Sequence, residues 1–500
     1  MVKRMKLSKC RGLLYCIVIS SFALCACQSQ KGTNETNVGI FDISKIESAP
    51  LNEPQQEDQH IVISDSFSST DGSVEFTFDI AKNIANANVP VVQIQPHFLT
   101  EADVKNVATA LFGDADYYEA RPLLSAEYSV DEIRVKLERW ADYSNPTALY
   151  ELYGWQQDNV EDLVKSFIKE YTIKCEAASD KSPRHEAEWQ FRKASYYNRT
   201  EDKINAADLV LDNDEIAVEL LSKGMPYRFV AFTRNKSDFK LNYISAYLYD
   251  GISPNMIDER IFKSKLCRTS APTNQQISEA KQTASSMLGE MGLGEWYIDN
   301  AQVETKYYGD SPEYSIRITA TPVFNTANVI RQPQLSNLKR DDVFASNYYL
   351  TDAEFIFSPS GQLIRFEMYS PVDVEKVIVD NVKTLEMLEQ FECAKSILAL
   401  SEYRDYLLSQ DLIEYLEKTN KESLICKVEI SDFEYGLTRI KAPNEDDIYY
   451  YVPGILLKGS IDYLGKNSHK IYASTGLELG PDRTLSLITL NSIDGTIIHN

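Results

Sequence analysis

Residues 348–371 read YYLTDAEFIFSPSGQLIRFEMYSP, and the fold expected of the whole chain turns on this stretch. Phe355-Ile-Phe357 and Leu363-Ile364 are strand-like apolar runs, and Ser358-Pro-Ser-Gly361 between them has turn composition. The spacing predicts a β-hairpin. Upstream, WYIDNAQVETKYY is another strand-like run, and YSIRITATPVF puts Ile316, Ile318 and Ala320 on one face. Ahead of these strands, Thr273 and Gln276 have capping-box spacing, and Ile277, Ala280, Ala284, Met287, Leu288 and Met291 recur at helical period up to Gly292. A helix followed by a meander is therefore expected over residues 273–383.

Downstream the order recurs. A helical stretch from Thr384 to Lys418 carries Leu385, Leu388, Phe391, Ala394, Ile397 and Leu398, and three strand-rich runs follow it to the end of the chain. The closing elements match too: Leu487-Ile-Thr-Leu490, Asp494-Gly495 and Ile497-Ile498 mirror the hairpin around Gly361. This is either an internal duplication or convergent hairpin grammar, since Asp-Gly favours tight turns anywhere. Toward the N-terminus, alternating Val74, Phe76, Phe78 and Ile80, a helix opened by Thr100 and Asp103, helix starts at Ser129 and Asp158, and runs at 188–197, 227–233 and 241–249 predict an α+β domain over 74–265. The expected fold class is α+β, with helices packed on antiparallel sheets and two related helix-plus-meander units, 273–383 and 384–500, after an N-terminal α+β domain.

Residues 27–73 include QSQKGTNETN and APLNEPQQEDQH and lack a sustained apolar period, so they are expected to form a polar flexible tether, with GIFDISKI as a candidate strand. Before them, Lys3, Arg4, Lys6, Lys9 and Arg11 precede an uncharged stretch from Gly12 to Ala26, which is too short to span a bilayer comfortably and reads as an export signal. Leu24-Cys25-Ala26-Cys27 resembles the bacterial lipobox. That resemblance implies a lipoprotein signal peptide over 1–26 and a diacylglyceryl group on the Cys27 thiol. It also implies anchorage at the extracytoplasmic face of a bacterial membrane, because two acyl chains hold where one does not. Removing residues 1–26 takes away five cations and no acid, so the formal charge moves from −23 to −28. So acidic a chain is a poor partner for nucleic acid and is repelled by an anionic bilayer, so it is expected to stand off the membrane.

The lipobox, the tether and the entry VPVVQIQPHFLTEADV together resemble a family of uncharacterised lipoproteins from Gram-positive bacteria, and LITLNSIDGTIIHN resembles the closing hairpin of PepSY-type domains. The PepSY resemblance implies protein-binding or inhibitory roles. No catalytic constellation stands out beside it. His185-Glu186 begins like a zinc-protease helix, but Trp189 occupies the place of the second histidine; Ser166/Lys169 and Ser278/Lys281 have Ser-x-x-Lys spacing without its companion motifs. Asp212, Asp214 and Glu215, and likewise Asp446 and Asp447, offer oxygen ligands to calcium or else form charged turns. The body cysteines Cys175, Cys267, Cys393 and Cys426 either pair as Cys175–Cys267 and Cys393–Cys426 or remain buried thiols. Doubled tyrosines, such as Tyr307-Tyr308 and Tyr449-Tyr450-Tyr451, must send successive rings to opposite sheet faces, giving either a glycan or peptide platform or an ordinary β-rich surface. The leading expectation is a non-enzymatic, lipid-anchored protein that binds an envelope protein or peptide, with no cofactor beyond the lipid. A solute- or glycan-binding lipoprotein and an envelope hydrolase are the rivals.

Overall fold

A computed structural model describes residues 46–51, 59–84, 88–120, 185–193, 214–236, 239–248, 266–308, 311–331, 352–400, 425–442, 448–464, 470–471 and 485–498, with a few single positions between them. In chain order the elements begin with β1 (Gln59–Ser68), β2 (Val74–Ile84), β3 (Val91–Pro96) and α1 (Glu101–Phe112). There follow β4 (Tyr117–Glu119), β5 (Arg192–Lys193), β6 (Asp214–Ser222), β7 (Met225–Lys236), β8 (Phe239–Leu248) and α2 (Asn274–Met291). Next come β9 (Trp296–Tyr308), β10 (Ser311–Phe324), β11 (Ala327–Asn328), β12 (Asp352–Phe357) and β13 (Leu363–Tyr369). The chain ends with β14 (Val372–Val379), α3 (Met387–Leu398), β15 (Ile425–Lys441), β16 (Tyr449–Leu464), β17 (Lys470–Ile471) and β18 (Leu485–Asn491).

These strands form two sheets. The first has eight strands along the path β1-β2-β15-β16-β3-β14, with β17 and β18 also on β16. The second has ten along β11-β10-β12-β13-β8-β7-β6-β4, with β5 on β6 and β9 on β10. Pairings between the named strands are antiparallel, except that β2 runs parallel to β15. Every strand of the ten-stranded sheet lies between β3 and β14, which are themselves hydrogen-bonded neighbours, with Pro96 opposite Val372. The ten-stranded body is thus an insertion into the eight-stranded sheet.

Sequence explains the local structure. In β2 the alternation is strict, and Val74, Phe76, Phe78 and Ile80 are each 1% exposed beneath Met387, Phe391, Ala394 and Leu398 of α3. The Phe391 ring meets Phe78 and Phe433 edge-on, with centroids 5.8 and 5.6 Å away. Each such aromatic contributes about 2–3 kcal/mol by leaving water. The opposite face of β2, with Glu75, Thr77 and Asp79, is exposed, as suits an antiparallel sheet with one wet side. In the inserted body α1 buries Val104, Val107, Ala108 and Leu111, and α2 buries Ala280, Ala284, Leu288 and Met291, on the apolar face of the ten-stranded sheet. Both helices open on the capping boxes read from the sequence, Thr100/Asp103 and Thr273/Gln276, and α2 ends on Gly292 in the left-handed conformation.

The two sheets touch where the β10–β11 hairpin lies on β15. Ile330 N–H donates to the Leu437 carbonyl at 2.7 Å, Ala327 and Val329 pack with Val92, Ile94 and Leu437, and the rings of Phe324 and Tyr451 stand 5.2 Å apart. A Cβ at Gly436 would stand 2.5 Å from the Asn328 carbonyl oxygen, so only glycine admits the hairpin this closely.

This architecture corrects the α+β expectation. The described chain is mostly β-sheet with three helices, and the helix-plus-meander units do not exist as separate bodies. Strands assigned to each unit pair with neighbours from outside it: β13 pairs with β8, β15 with β2, and β16 with β3. The boundary near 265–273 falls inside one continuous sheet, and residues from Phe41 onward make one compact unit. The tether is also shorter than expected, because β1 pairs along its whole length with β2 and Ser48 bridges to Val382. The helix starts at Ser129 and Asp158 lie outside the described residues.

Candidate functional site: the polar face of the ten-stranded sheet

Alternation gives the ten-stranded sheet two unlike faces. Ile316, Ile318 and Ala320 of β10, Ala353, Phe355 and Phe357 of β12, and Ile244 and Ala246 of β8 line the apolar side. The intervening residues form polar rows across the other side. Thr319, Glu354, Glu367 and Ser245 lie opposite one another, as do Asp352, Tyr369 and Tyr243 in the next row. A bulge in β9 opposite Thr319 and Ala320 adds Asp299 and Asn300 at the corner, and Thr319 Oγ1 donates to Asp299 Oδ1 at 2.7 Å.

Four carboxylates here share two guanidiniums. Arg331 Nε lies 3.1 Å from Asp352 Oδ2 and its Nη2 3.7 Å from Glu354 Oε2. Arg317 reaches Glu354 at 3.0 Å and Glu304 at 3.1 Å. Asp299 is the fourth acid and also acts on Arg331. Burial pushes the Asp352 carboxyl up to about 6; Glu354 and Asp299 add to the rise, while Arg331 opposes it. Burial works against the charge on Arg331 too, but its carboxylates, Asp352 first, hold its affinity for the proton above the ordinary arginine value. One row along, Tyr243 donates to Glu367 Oε1 at 2.7 Å, and burial, reinforced by Glu367, raises the phenols of both Tyr243 and Tyr369.

At the bulge corner two polar atoms have no partner among the described residues: Asn300 Nδ2 and Thr321 Oγ1, the latter on a residue 1% exposed. Asp299 is exposed, and Tyr297, opposite Thr321 in register, is 47% exposed. The open Asp299 carboxylate can accept a cation or a peptide N–H, whereas the two partnerless atoms are themselves buried.

The residues singled out from sequence are placed elsewhere. Leu24, Cys25, Ala26 and Cys27 lie outside the described residues, as do Cys175, Asp212, Asp446 and Asp447. Asp214 and Glu215 are consecutive on β6 and so point to opposite faces; they cannot close on one calcium ion. Burial raises the Glu215 carboxyl. Among the described residues no three His, Cys, Asp or Glu side chains converge to hold a metal. The Cys393–Cys426 disulfide is not formed: Cys393 is a partly buried thiol, raised by burial and then by Glu389, and sits where a Cβ on Gly495 would be 2.5 Å from its Sγ. Cys267 and Cys426 are buried, in the inserted body and the eight-stranded sheet respectively.

His185 and Glu186 are in extended chain, with Glu186 bridged to Tyr118, and Trp189 packs on Tyr117 and Phe229. Ser278 and Lys281 lie on the exposed face of α2. Tyr450 and Tyr451 do face opposite ways, yet both are buried, because each side of β16 has its own apolar cluster there. Sequence reasoning missed the carboxylate–arginine network altogether. Its signal was present as polar residues two apart inside apolar strands: Arg317/Thr319/Thr321, Asp352/Glu354 and Arg365/Glu367.

No protein-family model matches the chain, and no curated protein matches it. Among solved structures it is similar to an uncharacterized protein from Eubacterium rectale ATCC 33656, over 89% of this chain and 94% of that one, at 10% identity and a TM-score of 0.33.

Proposed function

We propose that this chain is a lipid-anchored extracytoplasmic binding protein, held through Cys27, that takes a basic peptide segment of an envelope protein on the polar face of its ten-stranded sheet. The observation that carries the binding reading is the exposed Asp299 carboxylate at the bulge corner, beside a cluster with more carboxylates than guanidiniums. Charge complementarity selects a cationic partner. The anchoring half rests on Leu24-Cys25-Ala26-Cys27 after an uncharged stretch.

The tyrosine platform of the glycan reading finds less support. Tyr227, Tyr243, Tyr450 and Tyr451 are buried, and Tyr117 spends its hydroxyl on the Ala108 and Gly113 carbonyls.

Two measurements test the two halves separately. Labelling cells with an alkyne fatty acid is expected to mark the wild type and not Cys27→Ser; equal labelling refutes the anchor. Crosslinking from a photoreactive residue at position 297 in intact cells is expected to capture a discrete protein, whose yield falls several-fold in Asp299→Asn. Capture of bulk envelope components alone, or capture unaffected by that substitution, refutes the site.

A further inference from the structure

The inserted body joins the eight-stranded sheet through two covalent crossings, His97–Thr100 between β3 and α1 and Ser370–Pro371 between β13 and β14. One side chain ties them together. His97 N–H donates to the Pro371 carbonyl at 2.8 Å, its Nδ1 stands 2.9 and 3.1 Å from the two oxygens of Asp373 on β14, and its Nε2 stands 3.4 Å from Asp103 Oδ2 on α1. A carboxylate only accepts, so both contacts are hydrogen bonds only when both ring nitrogens carry a proton. In the neutral ring one carboxylate faces a lone pair.

Asp103 is not free to turn away. It accepts from the Thr100 amide at 2.7 Å and the Thr100 hydroxyl at 2.6 Å as part of the α1 cap. Burial opposes its charge, but the Thr100 bonds and the neighbouring His97 outweigh burial and hold the carboxyl below its usual range. The same junction contains features that favour release. Ser370 has φ of 41°, a left-handed conformation costly for a side-chain-bearing residue. Asn242, whose carbonyl accepts from the Ser370 amide at 2.7 Å, is 1% exposed, and neither atom of its side-chain amide has a partner among the described residues. Doubly protonated, the ring bonds both carboxylates and closes the junction, against the strain at Ser370 and the unsatisfied amide of Asn242.

We infer that His97 is a proton-operated clamp, which holds the inserted body against the eight-stranded sheet when its ring is doubly protonated and releases that junction when the ring is neutral. The charged groups facing the ring are Asp373 from β14 and Asp103 from α1. Nearby on those elements, Glu375 is taken up by Gln93 at 2.7 Å, and Glu101, Lys105 and Lys376 are exposed; β3 carries no charged residue. Asp352, opposite Tyr369, the chain neighbour of Ser370, needs its own control.

Hydrogen exchange of the full chain at pH 5 and pH 8, corrected for intrinsic rates, reads the clamp through the amides of His97 and Ser370. Loss of one charge-assisted hydrogen bond is expected to speed their exchange about tenfold at pH 8. In His97→Gln the difference between the two pH values is expected to vanish, and in Asp352→Asn to persist. Equal protection of the wild type at both pH values overturns the inference, as does a pH dependence that survives in His97→Gln or is abolished in Asp352→Asn. A measurement needing no variant is the 15N titration of the His97 ring in the wild type: its midpoint is expected to coincide with the loss of protection, and a midpoint elsewhere overturns the clamp.

Discussion

At the scale of the residue, the most consequential side chain in the polar network is Asp352, 5% exposed on β12 with its carboxyl held at about 6. In the unfolded chain an aspartate titrates at about 3.9, so between those values the folded state binds a proton that the unfolded state does not. Stability therefore falls as pH rises from about 4 to 6, by about 3 kcal/mol in all for this one group. Asp352→Asn removes the titration while leaving Arg331 near Glu354. The guanidinium midpoint of the wild type is expected to drop more between pH 4.5 and pH 7 than that of the variant; parallel midpoints would show that Asp352 ionises freely. In sequence the Asp352/Glu354 spacing marks polar positions in an apolar strand but not their burial, since an aspartate opening a strand looks solvated. Its burial is decided by Tyr369 and Arg331, which reach it only once the sheet is assembled.

At the scale of the element, legibility followed locality. The caps of α1 and α2 were readable because a helix end is settled by residues three apart, and both boxes formed as spaced. Thr273→Ala is accordingly expected to cost about 1 kcal/mol, read as a lowered denaturation midpoint, with Thr273→Ser close to wild type. An alanine variant indistinguishable from wild type would mean that α2 is held by its buried face alone. The strands β2, β10 and β12 were readable for the same reason, since alternation is a local pattern. By contrast β1 reads as tether in sequence: Asp65 interrupts the apolar alternation of Ile61, Ile63 and Phe67, and Val62 is 62% exposed on the other side. What makes it a strand is the full register with β2 and the stacking of Phe67 on Phe76 at 4.9 Å. No local signal announces either contact.

At the scale of the whole molecule, consecutive elements do not make consecutive domains. Helices α2 and α3 are each followed in the chain by strands, but sheet edges must be paired, and the edges here are completed by strands from the far end of the chain: β2 against β15, β3 against both β16 and β14. The pairing of Pro96 with Val372 also makes the insertion separable. Replacing residues 97–371 by Asn-Gly would join β3 to β14 as a two-residue hairpin of a favoured type, keeping α3 and the cluster around Phe76, Phe78 and Phe391 intact. The excision uncovers Leu437 and Tyr451, which now lie under Ala327, Val329 and Phe324, and so removes a few kcal/mol of apolar burial. The shortened chain is expected to keep a β-type circular dichroism spectrum and to unfold cooperatively at a lower temperature than the full chain. A featureless spectrum in a chain that also carries Leu437→Thr, to reduce the newly exposed apolar patch, would mean that the eight-stranded sheet cannot stand without its insertion and that the two sheets fold as one.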